Sequence, residues 1–186
     1  MGRPLPCIDD AVRTFIEAQP VFFVATAPLS ADGHVNVSPK GLASLRVLAP
    51  DRVAYVDYVG SGAETIAHLR ENGRIVLMFC AFDGPPQIVR LHGRGRVVRP
   101  DDDEFGPIAA LWPEGPSPRA AIVVDVTRVS RSCGFGVPLA DFRGPRTQLV
   151  DWAERKGPDG LREYQRARNA RSLDGLPAID WIEPPD

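Results

Sequence analysis

Apolar positions along this chain recur mostly in short blocks and alternations, with few helical stripes. Val12, Phe15 and Ile16 share one stripe of Asp9–Gln19, which predicts a short amphipathic helix. The run Val21–Ala27 reads as a buried strand, Ser30–Gly33 as a turn, and the alternation at Val35 and Val37 as the second strand of a hairpin. Leu45–Leu48 and Arg52–Val59 repeat the strand pattern around a turn at Ala49–Asp51, and Gly60-Ser61-Gly62 breaks it. Ser61 and Glu64 stand at capping-box spacing, and Ala63, Ile66, Ala67 and Leu69 form one apolar face. A helix should therefore run to Asn72-Gly73, where glycine supplies a left-handed terminus. Ile75–Phe82 is an unbroken apolar run and predicts a fully buried strand. After a turn at Asp83–Pro86, Gln87–Arg99 reads as a long strand whose Gly93 and Gly95 predict a bulge or a barrel bend. Asp101–Trp112 reads as a short acidic-capped helix and Ala120–Val129 as the last clear strand.

Beyond Ser130 the character changes. Cys133–Pro138 is a turn-rich loop, and Asp151–Lys156 and Leu161–Arg171 are polar and basic with Trp152, Leu161 and Tyr164 as apolar anchors. The expected organisation is a barrel domain over 1–130 and, over 131–186, a loop and helical arm packing on the barrel or on a partner subunit. Six or seven short strands with one intervening helix fit a small antiparallel barrel, mainly β with flanking helices. Periodicity alone names no ligand.

Composition narrows the class. The chain has 186 residues, enough for one domain with an appended arm, and 17 Gly and 19 Pro favour many short elements. A net charge of −2 argues against a broad grip on nucleic acid. All but two of the 22 basic residues are Arg, a bias that fits a GC-rich genome and says little about function. The longest apolar run, Ile75–Phe82, is too short to span a bilayer, and the N-terminus lacks a signal-like apolar core. Cys7, Cys80 and Cys133 are odd in number and far apart, and His34, His68 and His92 are scattered, so neither a disulfide framework nor a metal site is expected. The expectation is a cytoplasmic protein with reduced thiols, away from membranes and nucleic acid.

Three segments carry candidate chemistry. In His34–Gly41 a strand ends in Ser38-Pro39-Lys40-Gly41, which offers a hydroxyl, a point charge and close backbone approach; it is also what an ordinary strand end with an exposed Lys looks like. Asp57–Gly62 leads into a helix, whose free N–H groups and dipole suit an anion, although a plain N-cap has the same sequence. In Gln87–Gly93, Arg90 and His92 share the strand face opposite Val89 and Leu91, either to reach a ligand or to meet solvent. There is no G-x-S-x-G elbow, Cys133 has no local base, and Cys80 in its apolar strand reads as inert packing. No acid or base of catalysis is identified.

Taken as a set, the Ser38-Pro39-Lys40-Gly41 strand end, Asp57-Tyr58-Val59-Gly60-Ser61-Gly62 before a helix, and Arg90-Leu91-His92-Gly93-Arg94-Gly95 resemble the pyridoxamine 5′-phosphate oxidase-like family. The resemblance covers roughly residues 10 to 100. It implies a six-stranded antiparallel split barrel that binds FMN, with the cofactor in clefts at the interface of a homodimer. Position by position, Val37, Ser38 and Lys40 resemble the segment lining the isoalloxazine edge and holding the phosphate. Tyr55, Val56 and Asp57 match the strand beneath the ring, and Ser61, Gly62 and Thr65 the helix start near the phosphate. Gln87 and Arg90 resemble the strand contributed by the partner subunit, Cys133, Gly134 and Phe135 the stretch that approaches the ring, and Arg171 a substrate-phosphate arginine. The tail reads Arg171-Ser172-Leu173-Asp174-Gly175 where the pyridoxamine oxidases carry Arg-x-His-Asp-Arg. The implied activity is that of an FMN-dependent oxidoreductase acting on an unidentified small molecule. A deazaflavin-dependent reductase stays open, as does a non-catalytic flavin or haem module with His34, His68 or His92 as axial ligand.

Overall fold

The computed structural model describes residues 5–112, 115–116 and 118–182. Asp9 accepts the Val12 N–H at 2.7 Å and starts α1 (Asp10–Glu17), whose buried stripe is Val12 and Ile16. The alternating segments form β1 (Phe22–Thr26), β2 (Asn36–Lys40), β3 (Leu45–Ala49) and β4 (Arg52–Tyr58). After α2 (Glu64–Asn72) come β5 (Arg74–Cys80), β6 (Ile88–Val98), the short α3 (Phe105–Ala109) and the long β7 (Pro118–Ser132). The strands form one antiparallel sheet in the order β2-β1-β5-β6-β7-β4-β3. It has seven strands rather than the six implied by resemblance. Each end of the sheet is a hairpin arm: β2 pairs with β1 from Phe22↔Lys40 to Thr26↔Asn36, and β3 pairs with β4 with a register shift between Val47 and Ala49.

The inner face carries the core. Val24, Tyr55, Leu77, Phe79, Leu91 and Ile122 are sealed there, with Phe22 stacked on Phe79 at 5.5 Å and edge-on to Tyr55 at 5.7 Å. Each such side chain contributes about 1.5–3 kcal/mol by leaving water. Glycine is required where elements close on one another. The ladder of β6 and β7 shifts register between His92 and Gly93, and a Cβ at Gly93 would stand 2.3 Å from the Asp125 carbonyl oxygen. Gly73, at φ 69°, ends α2 as its sequence predicts, returning its N–H to the Leu69 carbonyl at 3.1 Å. The capping box does not form. Ala63 is the N-cap of α2, no side chain caps it, and Glu64 instead accepts the Leu173 N–H at 3.3 Å.

The outer face is unequal. Over β4, β6 and β7 the small Ala54 and Ala121 with Val98 and Val123 admit Phe105, Ile108 and Trp112 from α3 and the turn after it. Over β2, β1, β5 and β6 two rows, Val37-Ala25-Val76-His92 and Pro39-Phe23-Met78-Arg90, remain half-buried or exposed.

The C-terminal arm packs on its own barrel. In α4 (Gln148–Arg168) the backbone breaks at Gly157 (φ 66°, ψ 174°) before Pro158 restarts the helix, and Trp152 and Tyr164 meet edge-on at 5.1 Å with Lys156 against both rings. Ala178 and Ile179 enter the main core. No helix among the described residues is long and apolar enough to cross a membrane.

Candidate functional site

Period-two alternation on β2 turns Asn36, Ser38 and Lys40 toward β4 and the start of α2, where they line one side of a cleft of about 280 Å³. Across it lie Asp57 from β4, the Gly60-Ser61-Gly62 turn, Glu64 and Thr65 from the first turn of α2, and Arg119 from β7. Segments far apart in the chain thus bring hydroxyls, an amide and two cations to one cavity.

Its wall is an ionic assembly. Asp57, 1% exposed, takes Lys40 Nζ on one oxygen at 2.7 Å and Arg119 Nε on the other at 2.9 Å. Burial alone would push this carboxyl up, but the Arg119 guanidinium and Lys40 ammonium outweigh it and hold the pKa at about 2. Arg119 commits three of its remaining four N–H groups to Asn169 and to the Gly60 and Gly62 carbonyls. Lys40, 21% exposed, donates one N–H to Asp57, and its ammonium has two further N–H groups to offer the cleft.

Behind the cleft a second chain of hydrogen bonds fixes Asn36. Its amide donates to Thr65 Oγ1 at 3.0 Å and to Thr26 Oγ1 at 3.2 Å. The same Thr26 hydroxyl is hydrogen-bonded to Nδ1 of the fully buried His68, at 2.9 Å. Burial lowers the His68 pKa against the pull of Asp174, Glu64 and Glu71. Nε2 itself has no hydrogen-bond partner among the described residues. At the rim the tail folds over: Asp174 accepts the His34 backbone N–H at 2.8 Å and binds its ring Nδ1 at 2.6 Å.

The residues singled out from sequence divide accordingly. Ser38, Lys40, Asp57, Ser61, Gly62 and Thr65 line the cleft together. Val37 points the other way and is 62% exposed, because it alternates with Ser38. Tyr55 and Val56 are sealed in the protein, since β4 lies between β3 and β7 and is covered on both faces; burial drives the Tyr55 phenol well above its ordinary pKa. Neither residue is among those lining the cleft. Gln87 and Arg90 lie at the bare outer half of the sheet, Arg90 donating to Ser132 Oγ at 2.9 Å. Cys133 and Phe135 are exposed, Phe135 at 81%. Arg171 closes the tail's own turn by donating to the Gly175 carbonyl at 2.8 Å.

Sequence reasoning missed Asn36, Arg119, Asn169 and the Thr26–His68 pair. Arg119 carried a usable signal, a lone charge opening an apolar run; Asn169, within an Arg-rich arm, carried none.

The donor set suits an anionic ester. Three hydroxyls, an ammonium and a helix start without a side-chain cap converge on a cavity with no apolar side chain in its lining but Tyr58. That chemistry fits the phosphate end of a flavin mononucleotide.

Comparison with known proteins agrees with the architecture. The sequence model of the pyridoxamine 5′-phosphate oxidase family matches residues 8–133. The chain is 44% identical over 189 aligned residues to the pyridoxamine 5′-phosphate oxidase family protein ustO of Aspergillus flavus, covering 92% of this chain and 76% of that one. The crystal structure of HupZ from Group A Streptococcus superposes with a TM-score of 0.55 at 20% identity, over 72% of this chain and 99% of that one. A variant of HupZ gives 0.56 at 22% identity, over 67% and 99%.

Proposed function

Because the chain belongs to the pyridoxamine 5′-phosphate oxidase family, we propose that it is an FMN-dependent oxidoreductase acting on a small organic molecule. The observation that carries this reading is the convergence of Ser38, Lys40, Ser61 and Thr65 on one cleft at the uncapped start of α2. Bound there, the flavin would supply the redox chemistry. The chain's part is to bind and orient. Lys40 and the three hydroxyls would hold the phosphate, and Asn36, whose two amide hydrogens go to Thr26 and Thr65, would keep only its side-chain carbonyl for a ligand. Asp57 stays ionised and spends both oxygens on Lys40 and Arg119, so it sets the charge of the wall and is not a proton donor.

The working unit is proposed to be a homodimer. Support comes from the bare half of the outer face, where Phe23, Ala25, Val37, Val76 and Met78 make an apolar surface unlike the half sealed by α3. Gln87 and Arg90 border that surface, where a second copy would bring them toward the first copy's cleft. Arg171 is not part of the proposal, because it is not among the residues lining the cleft.

The test is the purified protein. A yellow preparation that releases FMN on denaturation, or takes it up stoichiometrically on reconstitution, and that sediments as a dimer supports the reading. Protein that stays colourless after incubation with FMN overturns it, and a strictly monomeric protein overturns the dimer.

A further inference from the structure

The wall behind the Gly60-Ser61-Gly62 turn is built partly by the C-terminal arm. Asn169, the residue that closes α4, has no exposed surface. Its backbone is fixed at both ends, N–H to the Gln165 carbonyl at 2.8 Å and carbonyl to the Ile179 N–H at 3.0 Å. Its side chain donates to the Gly60 carbonyl at 3.0 Å and accepts from Arg119 Nη1 at 2.9 Å. Arg119 in turn draws the Gly62 carbonyl back at 2.7 Å. A carbonyl and the N–H of the same trans peptide unit point in opposite directions. Holding the Gly60 and Gly62 carbonyls against Arg119 and Asn169 therefore turns the Ser61 and Ala63 N–H groups away from that wall.

Arg119 would be the obvious cation for an anionic ligand, yet four of its five N–H groups are committed to Asp57, Asn169, Gly60 and Gly62. It is 5% exposed on its side chain. Its chemistry is that of a scaffold rather than a ligand.

We propose that Asn169, acting with Arg119, is a positioning residue for the flavin phosphate: it pins the two glycine carbonyls back so that the turn offers its N–H groups and the Ser61 hydroxyl to the anion. The inference rests on the FMN reading above. It assigns the arm a role in ligand selection, since a ligand without the phosphate gains nothing from the alignment of the turn.

Riboflavin shares the ring of FMN and lacks the phosphate, so the pair separates positioning from general support. Fluorescence titration of the wild-type protein should show a preference for FMN. In Asn169→Ala, and in Asn169→Leu, which keeps the volume, FMN affinity should fall about tenfold while riboflavin affinity stays within about twofold, the loss expected when hydrogen bonds to a charged group are misaligned. Equal losses for both flavins, or an unchanged preference for FMN, overturn the role of Asn169 and leave the FMN reading standing. In the wild-type protein, FMN should slow amide exchange across residues 58–66 more than riboflavin does; equal protection overturns the inference without any variant. A wild type that binds neither flavin overturns the FMN reading and this inference with it.

Discussion

Two carboxylates, one in the cleft wall and one in the C-terminal tail, are held in opposite ways. Asp57 is 1% exposed and lies between two cations in the wall, whereas Asp174 grips His34 at the rim, where the imidazole is 69% exposed. Both pairs are short, 2.7 Å for Lys40–Asp57 and 2.6 Å for His34–Asp174. Distance therefore does not rank them; desolvation does. A buried charge stripped of its partner cannot recover hydration, while an exposed one rehydrates at once. The wall is thus a fixed feature of the fold, and the rim contact is one that solvent and salt can replace.

The largest expected effect is at the wall. Asp57→Ala leaves Lys40 and Arg119 facing each other without a counter-charge and should cost about 3–5 kcal/mol in urea unfolding. A loss below about 1 kcal/mol would show that water reaches the two cations and that the wall is not dry.

Acid sharpens the same contrast. The Asp57 carboxyl falls from 3.8 to about 2 on folding, so its stabilisation is complete above the unfolded value and disappears as pH drops through the folded one. That shift corresponds to about 2 kcal/mol. The wild type should lose this increment between those two pH values, and Asp57→Asn should not show it. An identical acid limb in both proteins would refute the assignment.

A weaker dependence belongs to His68. Its folded pKa lies below the ordinary 6.5, burial being the main cause, so its stabilising contribution is present above that value and declines as pH falls through the folded one. His68→Gln, whose side-chain amide can still meet Thr26, should flatten the stability profile just below neutrality. A profile that keeps its slope would place the titration elsewhere.

The smallest effect is expected at the rim. Asp174→Asn should shift the melting temperature slightly, and the shift should vanish in high salt, whereas the Asp57→Ala loss should persist there. A salt-independent loss in Asp174→Asn would mean that the tail is a sealed element of the fold.

Much of the fold is legible in local pattern. The stripe at Val12 and Ile16, the apolar run of β1 and the glycine stop at Gly73 are all read by neighbours a few residues away and appear where the pattern places them, while β2 begins at Asn36, one residue past Val35. The capping box at Ser61 and Glu64 fails because Glu64 finds a distant partner in Leu173, which sequence spacing does not report. The site is legible only in part for the same reason. Lys40, Ser38 and Ser61 announce themselves by residue type beside glycine, but alternation sends Val37 outward, and two-sided coverage of β4 seals Tyr55 and Val56.

The sequence by itself determined the elements, because hydrophobic periodicity and turn chemistry act within one helix turn or one strand. It also settled the family through residue strings that survive as strings. Only the tertiary structure decided which charges meet. Arg119 lies 62 residues from Asp57, and Asn169 lies 109 residues from the Gly60 carbonyl it holds. The physical reason is that an ion pair or a buried amide selects its partner by geometry and by exclusion of water. Both properties arise only when the sheet has closed and the arm has packed behind it.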